Sequence, residues 1–455
     1  MEFSVAQVQQ ATGAQLLGNE QHTPASGEVR VRGWSIDSRS VEAGDLFFAI
    51  KGEHLDGHDF VAAALQRGAV AAVVSEPVSA TGLRLRVADT VVALQDVARY
   101  ARNGWPKPLV GVTGSAGKTS TKDIVAELLG VRLRVGKTSG NFNNHLGLPL
   151  SLLRIPADCD AAVLELGMNH AGEIRHLATI ARPQIGVVTN VGYAHIENFS
   201  SIEGIAAAKR ELIEALPEDG VAVLNADDAR VVRFRETHRG RTVTYGVSPG
   251  AEIRAEYMQR CPASTVFAVR GVRFETTLTG AHAISNILAG IAVADCFGIR
   301  LSELTDCIAG LKPGKMRGER HRWRGAMVLD DSYNSNPEAA RSMLDTLKQE
   351  PAQRRIAVLG EMLELGHMAG QLHADLGAYA ANLGLDLLIG VRGASREMVN
   401  QARKAGLRDE EALFFEDPES AGSFLREFVR PGDAILFKGS RGTHVERALA
   451  AMEVR

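Results

Sequence analysis

A chain of 455 residues, 45% of them hydrophobic, is too long for one ordinary domain and can fill several cores; its length alone suggests about three. A formal net charge of −3 with 23% charged residues gives no basic excess for nucleic acid or an anionic membrane, and no uncharged run approaches the ~18 residues that span a bilayer. The cysteines Cys159, Cys261, Cys296 and Cys307 are far apart with no metal-like spacing, and Met1-Glu2-Phe3-Ser4 lacks a basic-then-apolar leader pattern, so reduced thiols and a cytoplasmic location are expected.

The first block runs to about Gly104. Strand-like segments span Val31 to Ile36, Asp45 to Ile50 and Ala69 to Val74, with a helix from about Phe60 to Arg67. Asp37-Ser38-Arg39 and the segment Gly52 to His58 bracket the strand Asp45 to Ile50. Arg39 and Lys51 there could hold a phosphate-bearing ligand as charge-assisted donors. Trp105-Pro106-Lys107-Pro108 reads as a linker, because two prolines cannot continue a helix. A first domain over 1–105 follows.

The second block, 106–313, opens on the densest signal in the chain. An apolar Leu109-Val110 start leads into Gly111-Val112-Thr113-Gly114-Ser115-Ala116-Gly117-Lys118-Thr119-Ser120-Thr121, and a helical stretch follows, Lys122 to Leu129. Strand, glycine loop and helix together turn backbone N–H groups and a positive helix end toward one point, which suits polyphosphate. Lys118 can reach the β/γ-phosphates and the Thr119 hydroxyl can hold Mg²⁺. Val112 stands where the usual pattern has its first glycine.

Further strands are expected at Ala161 to Leu166, Ile185 to Thr189 and Val221 to Leu224, with a helix over Ser201 to Leu216. The alternation indicates a parallel sheet with helices on both faces. Arg241 to Thr279 is richer in β-branched residues and suggests an antiparallel edge; a helix over about His282 to Phe297 follows. Glu165 ends a strand, where an acid commonly reaches the metal beside a phosphate loop; a solvated strand-end carboxylate fits equally well. His195, in Thr189-Asn190-Val191-Gly192-Tyr193-Ala194-His195, lies past another strand end and reads as a metal ligand or as polar loop filling. Lys209, read by itself, is a surface lysine.

Lys312-Pro313-Gly314-Lys315 is the second linker. Beyond it, 314–455 alternates again, with strands near Ala326 to Leu329, Arg355 to Leu359, Leu385 to Gly390 and Ala434 to Phe437, and helices beginning near Pro337, His367, Ser395 and Pro418. This reads as a Rossmann-like sheet without a phosphate loop. Asp331-Ser332-Tyr333-Asn334-Ser335-Asn336-Pro337 makes a dense polar loop before a helix, or a capped turn. Lys438-Gly439-Ser440-Arg441-Gly442 offers cationic donors after the last strand, or a bland turn. The expected fold class is α/β in three domains: a small substrate domain, a central phosphate-loop sheet and a C-terminal Rossmann-like domain.

The order and separation of these motifs resemble the Mur ligase family over essentially the whole chain. The signature joins the loop Thr113 to Thr119, Glu165 before Gly167-Met168-Asn169-His170, Thr189 to His195, Lys209 and the helix near His282. Within the family, the loop from Asp331 to Pro337, Gly360-Glu361-Met362-Leu363-Glu364-Leu365-Gly366 and Lys438-Gly439-Ser440-Arg441 are similar to the branch that adds D-alanyl-D-alanine to UDP-N-acetylmuramoyl-tripeptide. The resemblance implies ATP held by Thr113, Gly114, Ser115, Ala116, Gly117, Lys118, Thr119 and Ser120, with Asn286 at adenine and Arg317, Asp331 and Tyr333 closing over the nucleotide. It implies two Mg²⁺ ions, one at Thr119 and Glu165 and one at His195, with Lys209 matching a lysine that is often carbamylated into a metal-binding carboxylate. Lys118, Glu165, His195 and Lys209 form the expected catalytic set.

The same resemblance assigns Ser38, Arg39, Asp56 and His58 to the UDP-sugar, and Asn141, Asn143, Asn144 and His170 to the cleft. Asn334, Asn336, Ser440 and Arg441 are the dipeptide candidates. A cytoplasmic monomer of the peptidoglycan precursor route is implied. Two positions depart from the family pattern: Ala283 follows His282 where relatives carry Asn, and Ser115-Ala116 replaces a Thr-Asn pair. The competing readings are another ligase of the superfamily (diamino-acid-adding or folylpolyglutamate-synthesising), an ATP-driven switch, or a kinase.

Overall fold

The computed structural model describes residues 1–17, 28–261 and 264–454. Three α/β units follow one another. In the first, the sheet order is Gln15–Leu17, Arg84–Arg86, Ala71–Val74, Asp45–Phe48, Gly33–Ser35; the outermost Gln15–Leu17 is antiparallel to its neighbour and the rest are parallel. The helix Thr90–Gly104 ends this unit, capped by the Asp89 carboxylate, which accepts from the Val91 and Val92 N–H groups.

The middle unit carries a fully parallel seven-stranded sheet. Its order is Ile253–Arg254, Arg241–Gly246, Val221–Asn225, Ile185–Val188, Leu109–Thr113, Ala161–Glu165, Val135–Lys137. The three strands around Leu109–Thr113 are buried throughout, which is why they read as unbroken apolar runs rather than alternating ones. Their register aligns Glu165 with Val112, and Val188 with Thr113. The carboxyl ends of neighbouring strands therefore place the glycine loop, Glu165 and Thr189 on one rim, where ligands collect in open parallel sheets. In the third unit the order is Glu319–Trp323, Ala326–Asp331, Asp433–Lys438, Arg354–Gly360, Leu387–Val391, Ala412–Phe415.

Several sequence expectations need correction. The strand expected over Val31 to Ile36 is two short pieces, Arg30–Val31 and Gly33–Ser35, in different sheets. The segment Arg241 to Thr279 divides: Arg241–Gly246 and Ile253–Arg254 extend the parallel sheet, and only Glu256–Arg260, Thr265–Val269 and Val272–Thr276 are antiparallel, in a separate sheet. Residues 262 and 263 of that segment lie outside the described residues. The helix after the glycine loop starts at Lys118 rather than Lys122. In the third unit Glu319–Trp323 pairs antiparallel with Ala326–Asp331, and Ala412–Phe415 adds an edge strand.

The first linker is no free hinge. Arg102 is buried, and its guanidinium donates to the Ala181 carbonyl at 2.7 Å, Lys107 at 3.0 Å, Arg182 at 3.2 Å, the Gln184 side chain at 3.1 Å, and the Trp105 carbonyl. Trp105 is itself buried. The helix Thr90–Gly104 packs on Gly147–Leu153 of the middle unit. These contacts bind the first two units together. Among the described residues no helix is long and apolar enough to cross a membrane.

Candidate active site

The glycine loop is built around two backbone positions that a side chain could not occupy. Gly114 has φ 151°, and a Cβ there would lie 1.8 Å from Thr189 Oγ1; Gly117 has φ 79°, and its Cβ would meet Asn286 Oδ1 at 2.7 Å. Glycine lets the loop press against the next strand end and against the helix Ala281–Cys296. The Thr189 hydroxyl donates to the Ala116 carbonyl at 2.6 Å. Asn190 clasps Ala116 from both sides, its Oδ1 accepting the N–H at 2.8 Å and its Nδ2 donating to the carbonyl at 3.1 Å. Ser115 Oγ donates to the Gly192 carbonyl at 3.0 Å. The loop and the segment Thr189 to His195 thus form one unit.

Lys118 opens the helix Lys118–Leu129, and its Nζ donates to the Gly114 carbonyl at 2.8 Å. Burial lowers its pKa, the Glu165 carboxylate opposes that shift, and the Arg317 charge adds to it. Thr119 Oγ1 donates to Glu165 Oε2 at 2.8 Å, and Asn143 Nδ2 donates to Glu165 Oε1 at 2.8 Å. The Glu165 N–H is fixed by Thr138 Oγ1 at 3.1 Å, so this carboxylate is 2% exposed and held at a set angle. It is not a solvated strand end.

Lys209 corrects the residue-only expectation most sharply. It lies on the helix Ile202–Glu214 and is 1% exposed, not a surface lysine. Burial, then the neighbouring Lys118 charge, lowers its pKa well below the ordinary lysine value. Among the described residues no carboxylate pairs with it. His195 has φ 64°, and its Nδ1 lies 2.5 Å from Glu364 Oε2, a close ionic contact without the alignment of a hydrogen bond.

The third unit reaches this rim along one seam. Asn336 caps the helix Pro337–Lys348 by accepting the Ala339 N–H at 2.9 Å, and its Nδ2 points to the Ser115 carbonyl at 3.4 Å. Both Glu338 oxygens accept the Tyr193 N–H at 3.2 Å. The Glu197 N–H donates to the Glu364 carbonyl at 3.2 Å. Lys438 Nζ sits 2.5 Å from Asp331 Oδ2 and donates to the Asn334 carbonyl at 3.0 Å. Arg317 stacks over the Tyr333 ring, 3.9 Å from its centre. A cavity of about 570 Å³ opens beside the loop, lined among others by Ser120, Asn286, Arg317 and apolar Ile124, Ala283 and Leu311. Its size and mixed lining suit a nucleoside.

The remaining candidates are dispersed. His58 is buried; its Nε2 accepts the Ser75 N–H at 2.9 Å, so Nδ1 carries the proton and donates to Asp56 at 2.6 Å. Arg39 is exposed and folded onto Asp37, beside Ser38. Asn144 Oδ1 accepts the Gly147 N–H at 2.9 Å, and Asn141 is exposed beside it. His170 is exposed and contacts Glu173 at 3.2 Å. Ser440 is buried and accepts the Leu363 N–H at 2.9 Å, while Arg441 is exposed and pairs with Glu446 at 3.1 Å. Reasoning on the sequence singled out neither Asn190, Glu338 nor Glu364. Asn190 and Glu364 lay inside motifs already noticed, but nothing in their residue type revealed a partner.

The three units match known proteins in the same order along the chain. Residues 30–105 match the Mur ligase family, catalytic domain, 112–294 the Mur ligase middle domain, and 316–441 the Mur ligase, glutamate ligase domain. The chain belongs to the Mur ligase family. This Mur ligase is 38% identical to the UDP-N-acetylmuramoyl-tripeptide--D-alanyl-D-alanine ligase of Synechocystis sp., over 92% of its own length and 91% of that protein. Its fold superimposes on MurF from Acinetobacter baumannii with a TM-score of 0.91 and 30% identity, covering 100% of this chain and 99% of that one. The MurF ligase from Thermotoga maritima in complex with ADP matches with a TM-score of 0.83 and 31% identity over 93% and 97% of the two chains.

Proposed function

We infer that this Mur ligase is an ATP-dependent amide ligase, joining D-alanyl-D-alanine to UDP-N-acetylmuramoyl-tripeptide in peptidoglycan precursor synthesis. The observation that carries the reading is the Lys118–Thr119 loop seated over Glu165, in a chain similar along nearly its whole length to ligases of that name.

The reaction must overcome the poor electrophilicity of a carboxylate. The tripeptide carboxylate attacks the γ-phosphorus of ATP, ADP departs, and an acyl phosphate results. The dipeptide amine then attacks the acyl carbon, and phosphate leaves with the former carboxylate oxygen. Both reacting partners of the first step are anionic, so Lys118, beside the loop N–H groups, lowers their repulsion and the transition-state charge. Asn190 and Thr189 hold Ala116, and so the loop, in a set shape. Arg317 and Tyr333, from the third unit, would cover the nucleotide, with Asn286 and Ser120 at the nucleoside cavity. Acyl phosphates hydrolyse, so the seam of Asn336 and Glu338 must exclude water when it closes.

The hard oxygen donors of Thr119 and Glu165, already 2.8 Å apart, fit Mg²⁺. When bound, the ion would polarise the phosphoryl oxygens. His195 is our candidate for a second ion. Lys209 as an amine offers no anionic oxygen. Its burial favours the neutral amine that reacts with carbon dioxide, which supports carbamylation to a carboxylate.

For the substrates, Ser38, Arg39, Asp56 and His58 lie in the segment we assign to the UDP-sugar, and Asn141, Asn143, Asn144 and His170 to the cleft. Asn334, Asn336, Ser440 and Arg441 remain our candidates for the dipeptide end, although Asn336 and Ser440 also serve structural bonds. We take domains over 1–105, 106–313 and 314–455, and a cytoplasmic monomer. The test is an incubation with ATP, Mg²⁺, UDP-muramoyl-tripeptide and D-alanyl-D-alanine. Phosphate release should require both substrates, and UDP-muramoyl-pentapeptide should appear by mass. Release indifferent to either omission would instead indicate a nucleotide switch.

A further inference from the structure

The carboxylates at the seam between the middle and third units include Glu165, Glu338, Asp331 and Glu364, with Glu361 close to Glu364 along the chain, and their partners differ. Glu165 is taken by Thr119 and Asn143, and Glu338 by the Tyr193 N–H on both oxygens. Asp331 is taken by Lys438, and Glu361 accepts the Ala394 N–H at 2.9 Å. Glu364 has Oε2 against His195, and among the described residues Oε1 accepts from no donor. Its side chain is 50% exposed, so it stands at the seam and opens to solvent.

The backbone shows that this placement is built. Glu364 has φ 63°, a left-handed conformation that a non-glycine residue keeps only where its surroundings hold it. It is held there from the middle unit by the Glu197 N–H on its carbonyl. Two residues on, Gly366 has φ 50°, and a Cβ there would meet Glu197 Cβ at 2.9 Å. The third unit is thus pressed onto the His195 turn at the point where Glu364 projects.

We propose that Glu364 is the docking carboxylate for the ammonium group of the incoming dipeptide, with Oε1 as the acceptor. The inference rests on the ligase reading above. A carboxylate against His195 puts the amine at the rim where the acyl phosphate forms, and it arrives only with the third unit. Nucleophile delivery and closure are thereby coupled.

Hydroxylamine separates this idea from its alternatives, because it is neutral at pH 7 and intercepts an acyl phosphate as a hydroxamate without an ammonium site. In E364Q, the KM for D-alanyl-D-alanine should rise roughly ten- to hundredfold, the loss of one charge-assisted hydrogen bond. Hydroxamate formation from ATP and UDP-muramoyl-tripeptide should stay within about twofold. E364D should keep most of the dipeptide affinity. An unchanged dipeptide KM, or hydroxamate and amide formation falling by the same factor, overturns the proposal. If E364Q melts early, the unaltered chain still decides: a dipeptide analogue with hydroxyl in place of the ammonium should compete at least about tenfold more weakly, and equal competition overturns it. A wild-type chain that yields no hydroxamate sinks the ligase reading as well, so the two failures are distinguishable.

Discussion

Thr119 Oγ1 donates to Glu165 Oε2 at 2.8 Å, joining the first turn of the helix Lys118–Leu129 to a strand end 46 positions away. The hydroxyl and carboxylate meet because their strands pair in parallel register, with Glu165 opposite Val112. Glu165→Gln keeps the shape and removes the charge. We expect kcat to fall about 10²–10³-fold, with thermal stability little changed, as for loss of one electrostatic group in a water-poor site. Stopped-time phosphate assays with melting curves check this; a near-normal kcat would contradict the role of Glu165. Removing Mg²⁺ with a chelator should likewise abolish phosphate release.

Lys118→Ala should eliminate product formation while leaving the fold intact. The side chain bonds to the Gly114 carbonyl of its own loop, one contact within a single turn that the fold can lose at small cost. Circular dichroism and pentapeptide yield are the paired readouts, and substantial turnover in the variant would argue against the assignment.

Lys209 is buried beside Lys118, and burial favours its neutral form. Activity should therefore fall when dissolved carbon dioxide is stripped and recover when it is restored. Labelled carbon dioxide should give a carbamate signal in the wild type that Lys209→Gln lacks. Full activity in carbon dioxide-free buffer would count against the modified form.

Glu338 is pushed above the ordinary 4.5 by desolvation, despite the Tyr193 N–H that favours its anion. The folded protein then holds this proton more tightly than the unfolded chain does. Its stabilising contribution is complete below pH 4.5 and is lost as pH rises through the raised value. Glu338→Gln keeps a carbonyl for Tyr193 and removes the titration. Its melting temperature at pH 7 should equal or exceed that of the wild type, and the difference should shrink or reverse toward pH 4. A wild-type advantage that grows with pH would refute this.

Arg102 donates to the Ala181, Lys107, Arg182 and Trp105 carbonyls and to the Gln184 side chain from a buried position. Burial lowers its pKa to about 10, still well above neutrality, so the charge remains. Arg102→Met strands these acceptors and should cost about 3 kcal/mol or more, measured by denaturant unfolding. A loss below about 1 kcal/mol would mean that the carbonyls find other donors.

Local patterns in the chain were enough to recognise its α/β class and its glycine loop. Loop recognition needs only a strand, glycines at set positions, Lys118 and Thr119, all within eleven neighbouring residues. The central strands were equally legible, because a parallel sheet buried on both faces demands continuous apolar runs. Arg241–Gly246 was misjudged as antiparallel because β-branched content reports strand, not direction; direction depends on the crossover that precedes it.

The surroundings of single polar residues were a different matter. Residue type said that Lys209 should be exposed, yet packing of the helix Ile202–Glu214 against the sheet buries it. The two prolines likewise marked Trp105-Pro106-Lys107-Pro108 as a linker, while Arg102, reaching the backbone at 105–107 and at 181–182, locks it. Glu364 looked like one acid among many until the third unit set it against His195. Periodicity and turn chemistry act over a few residues and can be read along the chain. Burial, charge pairing and the meeting of domains depend on atoms brought together from distant positions, and those are decided only when the tertiary structure closes.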